Sequence, residues 1–229
     1  IDSVAPARKV GEKIVLIDAI DSAGIGRRAY QYIPGQRRVK LAPDLSYDTP
    51  SPWTGGISTI DDGKGFIGAI DRYNWKLIGK KEKYILYNNF KTSDYKTCPA
   101  ATITTRNFPN PDCIRWELHR VWVVEAKLKP GFRHIYSQRK MYWDEDGYLG
   151  GQVENYDAAG RLFRISNAVY HPLLNRDGHA ASPSITLDLQ TGAWTYLGFF
   201  GGKGQGTYPI PALRPTTFSP EALAGEGVR

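Results

Sequence analysis

Residues 114–143 read IRWELHRVWVVEAKLKPGFRHIYSQRKMYW, and their pattern decides the fold class. In the first half, even positions carry Ile114, Trp116, Leu118, Arg120, Trp122, Val124, Ala126 and Leu128. Odd positions carry Arg115, Glu117, His119, Val121, Val123, Glu125 and Lys127. Alternation with period two is the mark of a strand with one buried face. This strand is much longer than the usual ~5–6 residues, so its sheet has to twist or curl. Pro130–Gly131 supplies a turn, and residues 133–143 return as the antiparallel partner.

Other stretches follow the same hairpin order. EKIVLIDAI is a strand, and RRAYQYI and QRRVKLA form a hairpin about Pro34–Gly35. Residues 43–72 are rich in Pro, Gly and Asp and read as a long excursion with a helical turn near Ile60. DRYNWKLIGKKEKYILYNN resumes as strands. DEDG (144–147), YDAAGRL (156–162) and Gln190–Thr191–Gly192 are turns between later strands. Only FSPEAL carries a firm helix start, with Ser219 as N-cap and Pro220 in the first turn. The expectation is a mostly antiparallel β protein forming one domain over residues 1–229.

Composition bounds the partners. Of 229 residues 41% are apolar, and 30 Lys+Arg against 23 Asp+Glu leave a net charge of +7. That balance favours anionic partners. The bases are spread among acids with no run of five, so nucleic acid is not expected. No stretch approaches the ~20 apolar residues of a membrane span, which leaves a peripheral relation to membranes. The chain starts at Ile1, without Met, on a polar segment, and reads as a processed chain or the later part of a longer one.

Chemistry-bearing patterns are few. The 4 histidines, His119, His134, His171 and His179, lack metal-ligand spacing. His119 and His134 fall on opposite strands of the hairpin and are candidate cross-strand neighbours; surface positions on the polar face are the plainer reading. GFFGGKGQG (198–206) has no GK[ST] ending, and no nucleophile elbow is present. No catalytic residue, cofactor or metal is therefore expected. Cys98 and Cys113 bracket TCPAATITTRNFPNPDCI, and both a disulfide and two reduced thiols fit. Arg120 interrupts an apolar face, so either an acid pairs with it or the face lines a cavity that admits water or a headgroup. Tyr30, Tyr32, Trp75, Trp116, Trp122 and Trp143 fall on inner faces. Core packing accounts for most of them, and the lining of an apolar ligand cavity is the sharper alternative.

RRAYQYIPGQRRVKLAPDLSYDTP, DRYNWKLIGKKEKYILYNN, RWELHRVWVVEAKLKPGFRHIYSQRKMYWDED and ENYDAAGRLFRISNA resemble, in that order, the domain-of-unknown-function family 1329. The resemblance implies a curved, unclosed half-barrel of the type found in the lipoprotein carriers LolA and LolB, with an apolar concave side. It implies a periplasmic or outer-membrane-associated place in a Gram-negative bacterium, beside transporters of the resistance–nodulation–division type. It also implies that the chain is a C-terminal portion, and it carries over no catalytic residues. Within it, Arg37, Arg38 and Lys40 stand on the outer side or rim of a hairpin, suited to anionic headgroups or an acidic partner. The function expected is a non-enzymatic carrier for a lipid, a lipoprotein acyl chain or another hydrophobic molecule. The alternative is an envelope adaptor that docks on a transporter or outer-membrane protein.

Overall fold

The computed structural model describes residues 3–4, 7–21, 24–43, 45, 47–170, 183–199 and 211–225. His171, His179 and most of the 198–206 glycine stretch lie outside the described residues. The chain divides into two compact units, Ile1–Thr49 with Pro209–Arg229, and Pro50–Tyr208.

The first unit holds strands β1 (Lys13–Asp18), β2 (Arg27–Ile33) and β3 (Arg38–Leu41) in an antiparallel sheet of that order. Pro34–Gln36 makes one 3-10 turn between β2 and β3, closed by the Arg37 N–H on the Pro34 carbonyl at 3.0 Å. Arg37 takes up a left-handed conformation, with φ 47°. Tyr32 and Ala29 are buried on the sheet.

In the second unit, β4 (Tyr73–Leu86), β5 (Trp116–Leu128), β6 (Gln138–Asp144), β7 (Gly150–Tyr156), β8 (Leu162–Ala168), β9 (Ser184–Asp188) and β10 (Trp194–Leu197) pair in chain order. Every neighbour is antiparallel, making an unclosed seven-stranded meander. The only helices of α type among the described residues are α1 (Ala100–Ile103) and α2 (Pro220–Gly225), the latter in the first unit. The Ser219 hydroxyl caps α2 by accepting the Ala222 N–H at 3.2 Å.

The sheet curls. Leu86 of β4 packs with Ile185 of β9, although five strand steps in a flat sheet would separate them by about 24 Å. Ile85 likewise sits against Gly151 of β7, where an added Cβ would lie 2.9 Å from its Cγ2. Register shifts at Leu77/Gly79, Tyr142/Trp143 and Asn155/Tyr156 bend three of the strands. The sheet closes towards the face that carries the buried apolar cluster of Val121, Val123, Tyr142 and Ile85.

Two expectations need correction here. Burial on β5 favours the odd positions as far as Val123, with Val121 and Val123 in the core and Trp116 43% and Leu118 53% exposed, and passes to the even side at Ala126. Residues 121–124 are apolar at both parities, so alternation alone could not choose a face. Up to Arg120, β5 pairs only with β4, and Trp116 and Leu118 stand exposed on that ribbon. The second correction concerns the return strand. It starts at Gln138, because residues 129–137 form a connection that turns His134 and Tyr136 inward.

Candidate functional site

Each face of the large sheet has its own chemistry. Ala126, Arg139, Asn155, Arg164 and Asp188 stand in register across β5 to β9, on the Trp122 face. Residues 50–65 cover this face. Thr59 starts a 3-10 segment through a capping box with Asp62, which places Asp61 and Asp62 over the sheet. Arg139 Nη2 donates to Asp61 Oδ2 at 2.6 Å and Nη1 to Asp62 Oδ1 at 2.8 Å. His134 Nε2 and the Thr59 hydroxyl also meet Asp61, at 3.0 and 2.5 Å. Tyr136 Oη donates to Asp62 at 2.9 Å. Arg164 reaches Asp188 Oδ2 at 3.1 Å and the Gly56 carbonyl at 3.2 Å.

Burial pushes the Asp61 carboxyl up, but Arg139, His134 and Thr59 more than offset this and hold it below its ordinary range. Burial likewise pushes Tyr73, which lies beside Arg139, up to about 12. This network is an ionic latch. His134 belongs to it with a fully buried side chain; it is neither a surface residue nor the cross-strand neighbour of His119. His119 instead meets Asp144 at 3.1 Å and stacks on Tyr87 at 4.0 Å.

The concave Val121 face changes character along its width. Over β4 to β7 it is mixed: beside the buried cluster of Ile85, Val121, Val123 and Tyr142, Glu154 accepts from Tyr142 and Tyr156 at 2.9 and 3.0 Å and pairs with Lys83 at 3.3 Å. Lys81 and Lys83 lie 4.7 and 4.0 Å from the centre of the Tyr142 ring. Burial, then Lys83 and Lys140, push the Lys81 ammonium below its ordinary value. Apolar packing and ion pairs thus share this part of the face. A second apolar cluster lies towards β8 to β10, where Leu86, Val169 and Ile185 pack with Ile114, Leu187, Trp194 and Tyr196.

Beside that cluster is a half-open cavity of about 320 Å³. Ala100, Ile103 and Thr104 line one side, and Trp194, Thr195, Tyr196 and Phe199 the other. Its walls are held from behind. Cys98 and Cys113 form a disulfide with Cα atoms 5.8 Å apart, and with Ile103 they pack on Tyr196 and Phe199. Trp194 Nε1 donates to the Thr105 carbonyl at 2.9 Å, fixing the indole. Burial pushes the Tyr196 phenol up to about 12, against an opposing hydrogen bond from Thr92.

The residues singled out from sequence are scattered. Trp122 and Trp143 are cross-strand neighbours, with Lys80 4.2 Å above the Trp122 ring. Arg120 is paired by Glu145 at the exposed end of β5, with 65% of its own side chain open. That exposure corrects the expectation of a buried charge. Arg120 and Lys80, both bonded to Glu145, lower its carboxyl to about 2. Trp75, at the opposite end of the ribbon from Trp116, packs on Phe66 with centroids 5.1 Å apart and bonds the Ile70 carbonyl at 2.9 Å. Tyr30 and Tyr32 belong to the first unit, where Tyr32 is core, and Arg37, Arg38 and Lys40 are exposed on its hairpin. The aromatic run in AWTYLGFF, which also marks a hairpin, is the sequence signal for this wall. Among the described residues no cluster of His, Cys, Asp and Glu could hold a metal ion, and no helix is long and apolar enough to cross a membrane.

The described strands of the second unit form an unclosed antiparallel half-barrel with few short helices. The chain belongs to the DUF1329 family of proteins of unknown function, which matches residues 1–224. It is 37% identical over 225 residues to uncharacterized protein PA3922 of Pseudomonas aeruginosa, covering 98% of this chain and 49% of that one. The chain thus spans about half the length of this curated relative. Among solved structures, it is similar to a candidate outer membrane lipoprotein-sorting protein domain from Vibrio parahaemolyticus, with TM-score 0.54 and 15% identity over 96% of this chain and 74% of that one. A DUF1329 protein from Desulfovibrio piger gives TM-score 0.53 and 16% identity, with the same coverage. At such identities the likeness is one of fold.

Proposed function

We propose that this chain is part of a periplasmic, non-enzymatic carrier that holds a lipid, a lipoprotein acyl chain or another hydrophobic molecule. The observation that carries the reading is the 320 Å³ cavity walled by Ile103, Trp194, Tyr196 and Phe199. Its size falls at the lower end of the ~300–1,000 Å³ of small-molecule sites, enough for one apolar moiety. Burial would supply roughly 25 cal/mol for each Å² of apolar surface removed from water. The disulfide keeps the wall in place, consistent with an oxidising compartment. Arg37, Arg38 and Lys40, exposed on the other unit, suit an anionic headgroup or an acidic partner.

The test is native mass spectrometry of protein purified without detergent, followed by solvent extraction and lipid analysis. A stoichiometric hydrophobic adduct, lost when Ile103→Trp fills the cavity, supports the carrier. A clean protein mass that persists after incubation with phospholipid and lipopeptide counts against it.

A different observation favours a second reading, an adaptor docking on an envelope protein such as a resistance–nodulation–division transporter. Tyr84, Trp116 and Leu118 stand exposed together on the free end of the β4–β5 ribbon. Crosslinking from Leu118 in whole cells separates the two: a single envelope partner, with no adduct in the mass spectrum, selects the adaptor.

A further inference from the structure

Over β4 to β6 the concave face gathers positive charge that its own carboxylates do not neutralise. Lys76 of β4 stands in register with Glu125, so even positions of β4 face the concave side at that point. The register shift between Leu77 and Gly79 reverses the parity, and Lys81 and Lys83 follow on the same side, in register with Val121 and His119. Their ammoniums lie 4.7 and 4.0 Å from the centre of one ring, that of Tyr142 on β6. Lys140, two residues before Tyr142, shares its face. Burial first, then the charges of Lys83 and Lys140, hold the Lys81 ammonium below its ordinary value, as crowded cations do.

The carboxylates around the three lysines are engaged elsewhere or shared. Glu154 accepts from Lys83, Tyr142 and Tyr156. Glu125, in register with Lys140, takes Lys127 at 3.4 Å and Gln138 at 3.0 Å. Asp144, in register with Val121, holds His119 and the Gly147 N–H. Among the described residues Lys81 and Lys140 make no hydrogen bond or ion pair. Three ammoniums less the one carboxylate of Glu154 leave two positive charges. We propose that Lys81, Lys83 and Lys140 form a binding site for a doubly charged oxyanion, the phosphate group of a monoester or of free phosphate. Lysine is a compact point charge with three rotatable donors, which suits such a group. Exposed Lys81 opens the site to solvent, while half-buried Lys83 and Lys140 give it a seat where charges are screened less. None of the three lines the cavity of Ile103 and Trp194, so the two sites stand or fall separately.

Calorimetric titration of the chain in low-salt buffer tests this with two probes, inorganic phosphate and dihexanoyl phosphatidic acid below its micelle concentration. The expected result is saturable binding of at least one probe, weakened at least about tenfold by Lys81→Gln with Lys140→Gln. Neither lysine bonds to the rest of the described fold, so this double variant should melt with the wild type. Lys96→Gln with Arg106→Gln removes the same charge from two exposed positions and should leave binding unchanged. Tighter binding of phosphatidic acid assigns the phosphate group to an amphiphile, and equal affinity assigns it to a free or small phosphate; either supports the site. No saturable binding of either probe overturns the proposal, as does full binding by the Lys81 and Lys140 double variant. Equal weakening by both double variants overturns it too, because it reduces the effect to diffuse attraction by a chain of net charge +7.

Discussion

Arg139 and Asp61 lie 2.6 Å apart in the interior, neither side chain more than 1% exposed, and together they fasten residues 50–65 to the sheet. Removing one partner of such a pair strands the other charge, at a cost of about 3–5 kcal/mol. Arg139→Met should therefore lower the free energy of urea unfolding by that amount. A loss below about 1 kcal/mol would show that the segment is held chiefly by its apolar contacts.

Acid should loosen the same latch. The Asp61 carboxyl is lowered from its ordinary 3.8. A depressed carboxylate gives its full stabilisation above the unfolded pKa and loses it as pH falls through the folded one. Tm should accordingly hold steady from neutral pH down to about 5 and drop below about 4. Thermal melts of the wild type and Asp61→Asn check this. The variant should melt lower at neutral pH and show a shallower acid limb, and equal slopes would remove Asp61 as a cause.

The disulfide spans a sequence separation of 15. In the loop-entropy account, closing such a loop contributes about 3 kcal/mol. Cys98→Ala with Cys113→Ala should show a loss of that order in chemical denaturation. Because Cys98 and Cys113 pack behind Tyr196 and Phe199, the double variant should also hold an apolar probe in the cavity more weakly. Unchanged probe affinity would separate the bond from the cavity.

Gly151 of β7 faces Ile85 of β4. A Cβ there would meet Ile85 Cγ2 at 2.9 Å and the Tyr142 carbonyl oxygen at 3.0 Å, and the backbone contact cannot rotate away. Gly151→Ala should destabilise by about 1–3 kcal/mol through overpacking. Calorimetry checks it. A neutral result would mean that the sheet can open at β4 without penalty.

Ligand retention should follow the cavity and not the exposed tryptophans. Ile103→Trp should abolish binding of a fluorescent fatty-acid probe, whereas Trp116→Ser, 43% exposed on the ribbon, should leave it intact. The reverse pattern would move the cargo to the ribbon face.

The strands, their antiparallel order and most turns were legible because each rests on local chemistry. Pro34–Gly35 and Gln190–Thr191–Gly192 announce turns, and Ser219–Pro220 announces a helix start. His134 was not legible. Nothing near it in sequence foretells Asp61, 73 residues away, as its partner. The cavity was missed for a similar reason. Ala100 and Ile103 meet Trp194 and Tyr196 only after the chain has crossed the whole sheet.

Period-two alternation, turn residues and caps act over a few residues, so the sequence by itself determined the fold class and where each strand begins and ends to within a few positions. Which face of β5 is buried, where Arg139 finds its acids and where an apolar cavity opens depend on the curl that brings Leu86 to Ile185. That curl sums the twist of seven strands with three register shifts, and the register between strands is set by pairing across the sheet. Only the tertiary structure could decide it.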